Sequence, residues 1–157
     1  MKGFEGCPGS RTIDRREEQG EEEATAKVKS QLRQWPIQLH LISPQAPYYQ
    51  GADVLLVADC VAYALGGFHS EYLKGKSLAI ACPKLDEGQE EYTEKIKSWL
   101  EDAKVNTLTV MTMEVPCCMG LLSLAQEALA ASSRKVPLKH ITVGLQGDIQ
   151  QEEWVKG

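Results

Sequence analysis

Three short, uninterrupted apolar runs constrain the fold of this chain more than any other feature: Asp53-Val54-Leu55-Leu56-Val57-Ala58, Ser77-Leu78-Ala79-Ile80-Ala81 and Thr107-Leu108-Thr109-Val110-Met111. A strand with one face in water alternates apolar and polar residues. A run without alternation belongs to a strand covered on both faces, the condition of a parallel sheet between helical layers. Ile141-Thr142-Val143 is a fourth strand candidate. Trp35, Ile37, Leu39, Leu41 and Ile42, closed by Ser43-Pro44 and Pro47, read as a further strand ahead of the others.

The connections between the runs have the spacing of helices. Tyr92, Ile96, Trp99, Leu100 and Ala103 recur on one helical face, with acidic residues early in the stretch and Asp86 available as its cap. After Pro116, a second stretch sets Leu121, Leu122, Leu124, Ala125, Ala128 and Leu129 on a broad apolar face, and Arg134-Lys135 suit the negative end of its dipole. A less regular helix, interrupted at Gly66-Gly67, joins the first run to the second. This alternation predicts an α/β fold, an open and mostly parallel sheet of about four to five strands with right-handed crossover helices in three layers.

A chain of 157 residues accommodates one such domain. From Met1 to about Ser30 the sequence is polar and charged, with Glu17, Glu18, Glu21, Glu22 and Glu23 among few large apolar residues. It cannot bury enough surface to order itself, so residues 1–30 read as a flexible tail and 31–157 as the domain. The net charge of −5 does not suit a nucleic-acid partner. No apolar run approaches the ~20 residues of a membrane span, and the N-terminus lacks the order of a signal peptide. The expected location is therefore the cytoplasm.

The five cysteines are Cys7, Cys60, Cys82, Cys117 and Cys118. An odd number in a domain of this size fits reduced thiols or metal ligands better than a disulfide framework. Four of them follow the expected strands: Cys60 after Ala58-Asp59, Cys82 after Ala81, and Cys117-Cys118 after Glu114-Val115-Pro116. Ligands of open α/β sheets gather outside the carboxyl ends of the strands, whereas cysteines that only fill a core have no reason to prefer those ends.

Four thiolates are the ligand set of a cubane iron–sulfur cluster, and two or three thiolates with an imidazole are that of Zn2+. Both stay open. His69 is the natural imidazole, because the Gly66-Gly67 break can turn it back towards the same edge. His40 and His140 fall in or beside strands, where structural roles are expected. Asp59 is a possible acceptor for a ligating imidazole or a plain strand terminus; Lys84 and Asp86 tune the charge of a thiolate centre or open the next helix. Cys117-Cys118 could also act without a metal, as a vicinal disulfide or a reactive thiol pair at a helix start.

Several blocks also resemble a known family. Arg33-Gln34-Trp35-Pro36-Ile37-Gln38-Leu39, Ala58-Asp59-Cys60-Val61-Ala62, Phe68-His69, Ala81-Cys82-Pro83-Lys84-Leu85-Asp86 and Val115-Pro116-Cys117-Cys118-Met119-Gly120 are similar to the C-terminal domain of ferredoxin-type (4Fe-4S) iron–sulfur proteins of anaerobic bacteria and archaea. The resemblance covers about Gln31 to Val155. Such relatives commonly carry an amino-terminal ferredoxin module, and Cys7-Pro8-Gly9-Ser10 looks like the segment that follows it. The expectation is thus a stand-alone or truncated version without that module. The resemblance implies a redox setting and a ferredoxin or oxidoreductase partner, but no reaction.

Together these readings predict a metal-binding domain in electron transfer, holding an iron–sulfur cluster or Zn2+ through Cys60, Cys82, Cys117 and Cys118, with His69 as a further candidate ligand. Two alternatives stand beside it. One is a zinc-dependent enzyme in which Cys60, His69 and another cysteine leave a position for water; it lacks the Cys-x-Asp-x-Arg arrangement of β-type carbonic anhydrases, since Val61-Ala62-Tyr63 follow Cys60. The other is a metal-free, partner-binding domain with its cysteines buried.

Overall fold

The computed structural model describes residues 10–18 and 27–155; Cys7 and Glu21 to Glu23 lie outside the described residues. The sheet contains β1 (Asp53–Ala58), β2 (Ser77–Ala81), β3 (Thr107–Met113), β4 (Leu138–Val143) and β5 (Ile149–Val155) in the order β2-β1-β3-β4-β5. The first four are mutually parallel, and β5 returns antiparallel to β4. The three continuous apolar runs are thus the three adjacent strands at one side of the sheet, and their residues are almost all buried.

The connection from β1 to β2 runs the opposite way along the sheet from the next two. With right-handed crossovers, α1 (Val61–Ala64) and a π-helical turn (Phe68–Leu73) therefore cover one face. The other face carries α2 (Gln89–Glu101) and α3 (Met119–Ala131), which pack against each other. The expected three-layer α/β arrangement is the one observed. Tyr92, Ile96, Trp99 and Leu100 form the buried stripe of α2, and each such side chain contributes about 1.5–3 kcal/mol by leaving water.

Helix ends are satisfied from the flanks. Lys135 Nζ donates to the carbonyls of Leu129 (2.7 Å) and Ser132 (3.0 Å) behind α3. Arg134 instead reaches the end of α2, donating to the carbonyls of Leu100 and Val105. Asp86 does not cap α2: Gly88 precedes that helix with a φ of 71°, and no side chain caps it.

Two expectations about strands need correction. The segment around Trp35 to Ile42 is a single parallel bridge, Gln38 to Ile80, rather than a strand. After Leu39 the chain curls, with Leu41 and Ile42 N–H groups donating to the Gln38 carbonyl. Lys95 Nζ holds the curl by donating to the carbonyls of Leu39, His40 and Ile42 at 2.8–3.0 Å. The fifth strand lies at the other end of the chain, beyond Gly144, Gly147 and Asp148. Gln150, Gln151, Glu152, Glu153 and Trp154 of β5 are all exposed, so no apolar alternation marks the strand. It is held by its ladder to β4, by a Lys139–Glu152 ion pair, and by Lys139 Nζ lying 5.4 Å from the Trp154 ring centre.

Candidate functional site

Because the crossovers from β1 and towards β3 leave in opposite directions, a crevice opens between the carboxyl ends of β1 and β3, the place where open α/β sheets bind ligands. Cys60 flanks it from β1, and Cys117 and Cys118 flank it from the short 3-10 turn Pro116–Cys118 after β3. Cys82 stands one strand further out. Ala58 is opposite Ala81 in the ladder, and the Asp59 N–H donates to the Ala81 carbonyl at 3.1 Å, so the chain segments carrying Cys60 and Cys82 leave the sheet side by side.

The loops after β2 and β3 also meet. A Cβ added at Gly120 would stand 3.1 Å from the Pro83 side chain, so the absence of a side chain at Gly120 lets the Cys82-Pro83 turn approach the start of α3. That turn is built by its own residues. The Asp86 N–H donates to the Cys82 carbonyl, and Asp86 Oδ2 accepts from the Cys82 N–H, both at 2.9 Å. The same oxygen accepts from the Tyr92 hydroxyl and from Gln38 Nε2. The local signal is Cys-Pro-x-x-Asp, in which the carboxylate folds back on the amide four residues earlier.

The four described cysteines are free thiols of graded exposure: Cys60 exposed, Cys82 and Cys117 half-buried, Cys118 buried. Burial holds the Cys60 thiol above its ordinary pKa, and the charges of Asp59, Cys82 and Cys117 push the same way. Cys118 is pushed up to about 11, chiefly by burial, while a hydrogen bond from the Met113 backbone opposes the shift. The neighbouring Cys117 thiol pushes Cys118 the same way as burial does. Cys60 and Cys118 therefore rest protonated at neutral pH, and a cation arriving at the crevice would have to displace their protons. Among the described residues, no group of three or more His, Cys, Asp or Glu side chains is arranged to hold a metal ion as it stands.

His69 comes back to the β1 end of the sheet, but into a different pocket. The pocket's walls include Ala58, Asp59, Ala62, Tyr63 and Phe68 and none of the four cysteines. His69 Nδ1 accepts the Gln31 N–H at 3.0 Å. That bond makes Nδ1 the unprotonated nitrogen of the neutral ring and leaves the proton on Nε2, which is thus a donor rather than a ligand. His140 lies within β4, its Nε2 2.9 Å from Thr112 Oγ1, and burial lowers its pKa. His40 sits in the curl beside Glu91, at 3.1 Å. Large apolar side chains are exposed beside the cysteines: Tyr63, Leu85 and Met119.

A family model described as a Rossmann-like domain matches residues 46–156. The chain belongs to that Rossmann-like family. An uncharacterized protein of Archaeoglobus fulgidus is 26% identical over 120 residues, covering 76% of this chain and 84% of that protein. No solved structure matches. Within this Rossmann-like domain the turn after β1 reads Asp59-Cys60-Val61-Ala62. It lacks the glycines that bring a pyrophosphate onto a helix N-terminus, so membership in the family supplies the fold, and the chemistry has to be argued from the crevice. No helix among the described residues is long and apolar enough to cross a membrane.

Proposed function

We propose that this Rossmann-like domain binds a metal centre in a redox setting, with Cys60, Cys82, Cys117 and Cys118 as thiolate donors. The observation that carries the reading is the placement of these cysteines at the carboxyl ends of three neighbouring strands, β2, β1 and β3, around the switch-point crevice. The donor chemistry fits a soft metal: four thiols and no imidazole, since His69 presents an N–H donor in another pocket. An all-thiolate set suits both a cubane iron–sulfur cluster and a structural zinc, and the redox setting implied by the resemblance favours the cluster. The group would supply one-electron transfer there, and a ferredoxin or oxidoreductase is the matching partner. Because the side chains are not yet gathered, binding would draw in the loops after β1 and β3, with release of thiol protons.

Anaerobic reconstitution followed by iron, acid-labile sulfide and zinc analysis tests the reading. The expected result is iron and sulfide in equal amounts, lost in a Cys60→Ser, Cys82→Ser, Cys117→Ser triple variant. Zinc alone, unaffected by His69→Ala, would keep the thiolate site and change its metal. A colourless chain that takes up neither metal overturns the proposal. The adjacency of Cys117 and Cys118 immediately ahead of α3 favours a second reading, a metal-free dithiol pair. Loss of these two thiols on mild oxidation of the metal-free chain, restored by a reductant, would support it.

A further inference from the structure

We propose that the cavity between the sheet and the π-helical turn binds a small neutral carbonyl compound with an N–H or O–H donor beside the carbonyl, held by His69 and Asp59. The cavity has a volume of about 270 Å³, just short of the ~300 Å³ at which drug-sized ligands begin to fit. Its floor is Val57 of β1 and Ile80 of β2, its walls include Ile37, Phe68 and Leu73, and its exposed lip is Ala62 and Tyr63. None of the four cysteines lines it, so this site stands apart from the metal reading and can be tested on the metal-free chain.

Two polar side chains line this apolar space, half-buried His69 and, at its exposed rim, Asp59, and neither spends its inward-usable group on a protein partner among the described residues. His69 is fixed by the Gln31 N–H at its Nδ1, which leaves Nε2–H as a donor with no partner. The Asp59 carboxyl accepts no hydrogen bond among the described residues and stands at the solvent edge of the cavity. A donor and an acceptor bordering one small apolar cavity match a primary amide or a hydroxycarbonyl compound. A carboxylate ligand would be repelled by Asp59, and a hydrocarbon would gain nothing from either group. The backbone around His69 is itself unusual: the Lys74 N–H closes on the His69 carbonyl, five residues back, at 3.0 Å. Such π turns occur frequently at functional sites.

The test is an amide-resolved NMR titration of the metal-free full chain with pentanamide, pentanoate and cyclopentane, taken to the solubility limit of each. Saturable pentanamide shifts centred on Ala62, His69 and Leu73 are expected, with pentanoate weaker by about tenfold or more at neutral pH. His69→Phe and Asp59→Asn should each weaken pentanamide by about tenfold, and Ala62→Leu, which fills the lip from the solvent side, should abolish its binding. Agreement between the two polar variants guards against either one failing to fold. The proposal is overturned by shifts with none of the probes, by cyclopentane or pentanoate binding at least as well as pentanamide, or by pentanamide binding that ignores both polar variants.

Discussion

The two ends of the sheet are built on opposite plans. At the amino ends of the strands, charged side chains are committed to hydrogen bonds: Arg134 to the Leu100 and Val105 carbonyls, Lys135 to those of Leu129 and Ser132, and Asp53 to the Asn106 and Thr107 side chains. At the carboxyl ends, the Asp59 carboxyl and the His69 Nε2–H have no partner among the described residues. Cys60 is exposed there, and so are Tyr63, Leu85 and Met119. One end consumes its polar groups in holding the fold, and the other retains binding capacity. Groups that hold the fold and groups left open are thereby separated along the strand direction.

Arg134→Met attacks the committed end and should have the largest effect. It removes charge-assisted bonds to two carbonyls and should cost about 2–3 kcal/mol in urea unfolding. The comparison breaks if that loss is no greater than the loss caused by changes at the carboxyl ends.

Asp86→Ala probes the best-bonded group at the carboxyl end. Its carboxylate serves the Cys82 N–H, Tyr92 and Gln38, so its loss should cost about 1–2 kcal/mol. The Cys82 thiol should then label faster relative to Cys60, because the turn that orients it is no longer closed. Unchanged relative labelling would mean that the turn is held by other contacts.

His140 lies between the two ends. Burial depresses its pKa from 6.5, so an unfolded chain takes up the proton before the folded one. Its stabilising contribution is complete above that value and is lost as the pH falls through the lower folded one. A His140→Gln variant should show a flatter fall in stability on acidification below 6.5; parallel curves would place the acid sensitivity elsewhere.

The smallest effect belongs to Tyr63→Ser. Its side chain is 94% exposed, and the change should alter unfolding by less than about 0.5 kcal/mol. A larger loss would show that the carboxyl end also carries structural weight.

The strands and helices that bury a face were legible in the sequence, because burial leaves its period in the residues. β1 and β2 coincide with their apolar runs, and α2 and α3 with their stripes. The cysteine positions were legible for the same reason: knowing where a strand stops locates the residue that follows it. What could not be read depends on contacts distant in sequence or made by backbone alone. The curl after Leu39 is imposed by Lys95; β5 pairs through its backbone and presents polar side chains on both faces. The nitrogen that His69 offers is decided by the main chain of Gln31, 38 residues earlier. Asp86 has the composition of a helix cap and instead closes the Cys82 turn.

Gly147 has a left-handed φ of 85°, and a Cβ there would stand 2.6 Å from the Ala64 carbonyl oxygen. The hairpin turn between β4 and β5 therefore rests directly on the short helix that leaves Cys60. For protein engineering, this surface turn is a poor place for an inserted tag or a permuted terminus. Displacing it would transmit a mechanical push to α1, so a fluorophore attached at Gln146 would instead serve as an external gauge of movement in the Cys60 loop.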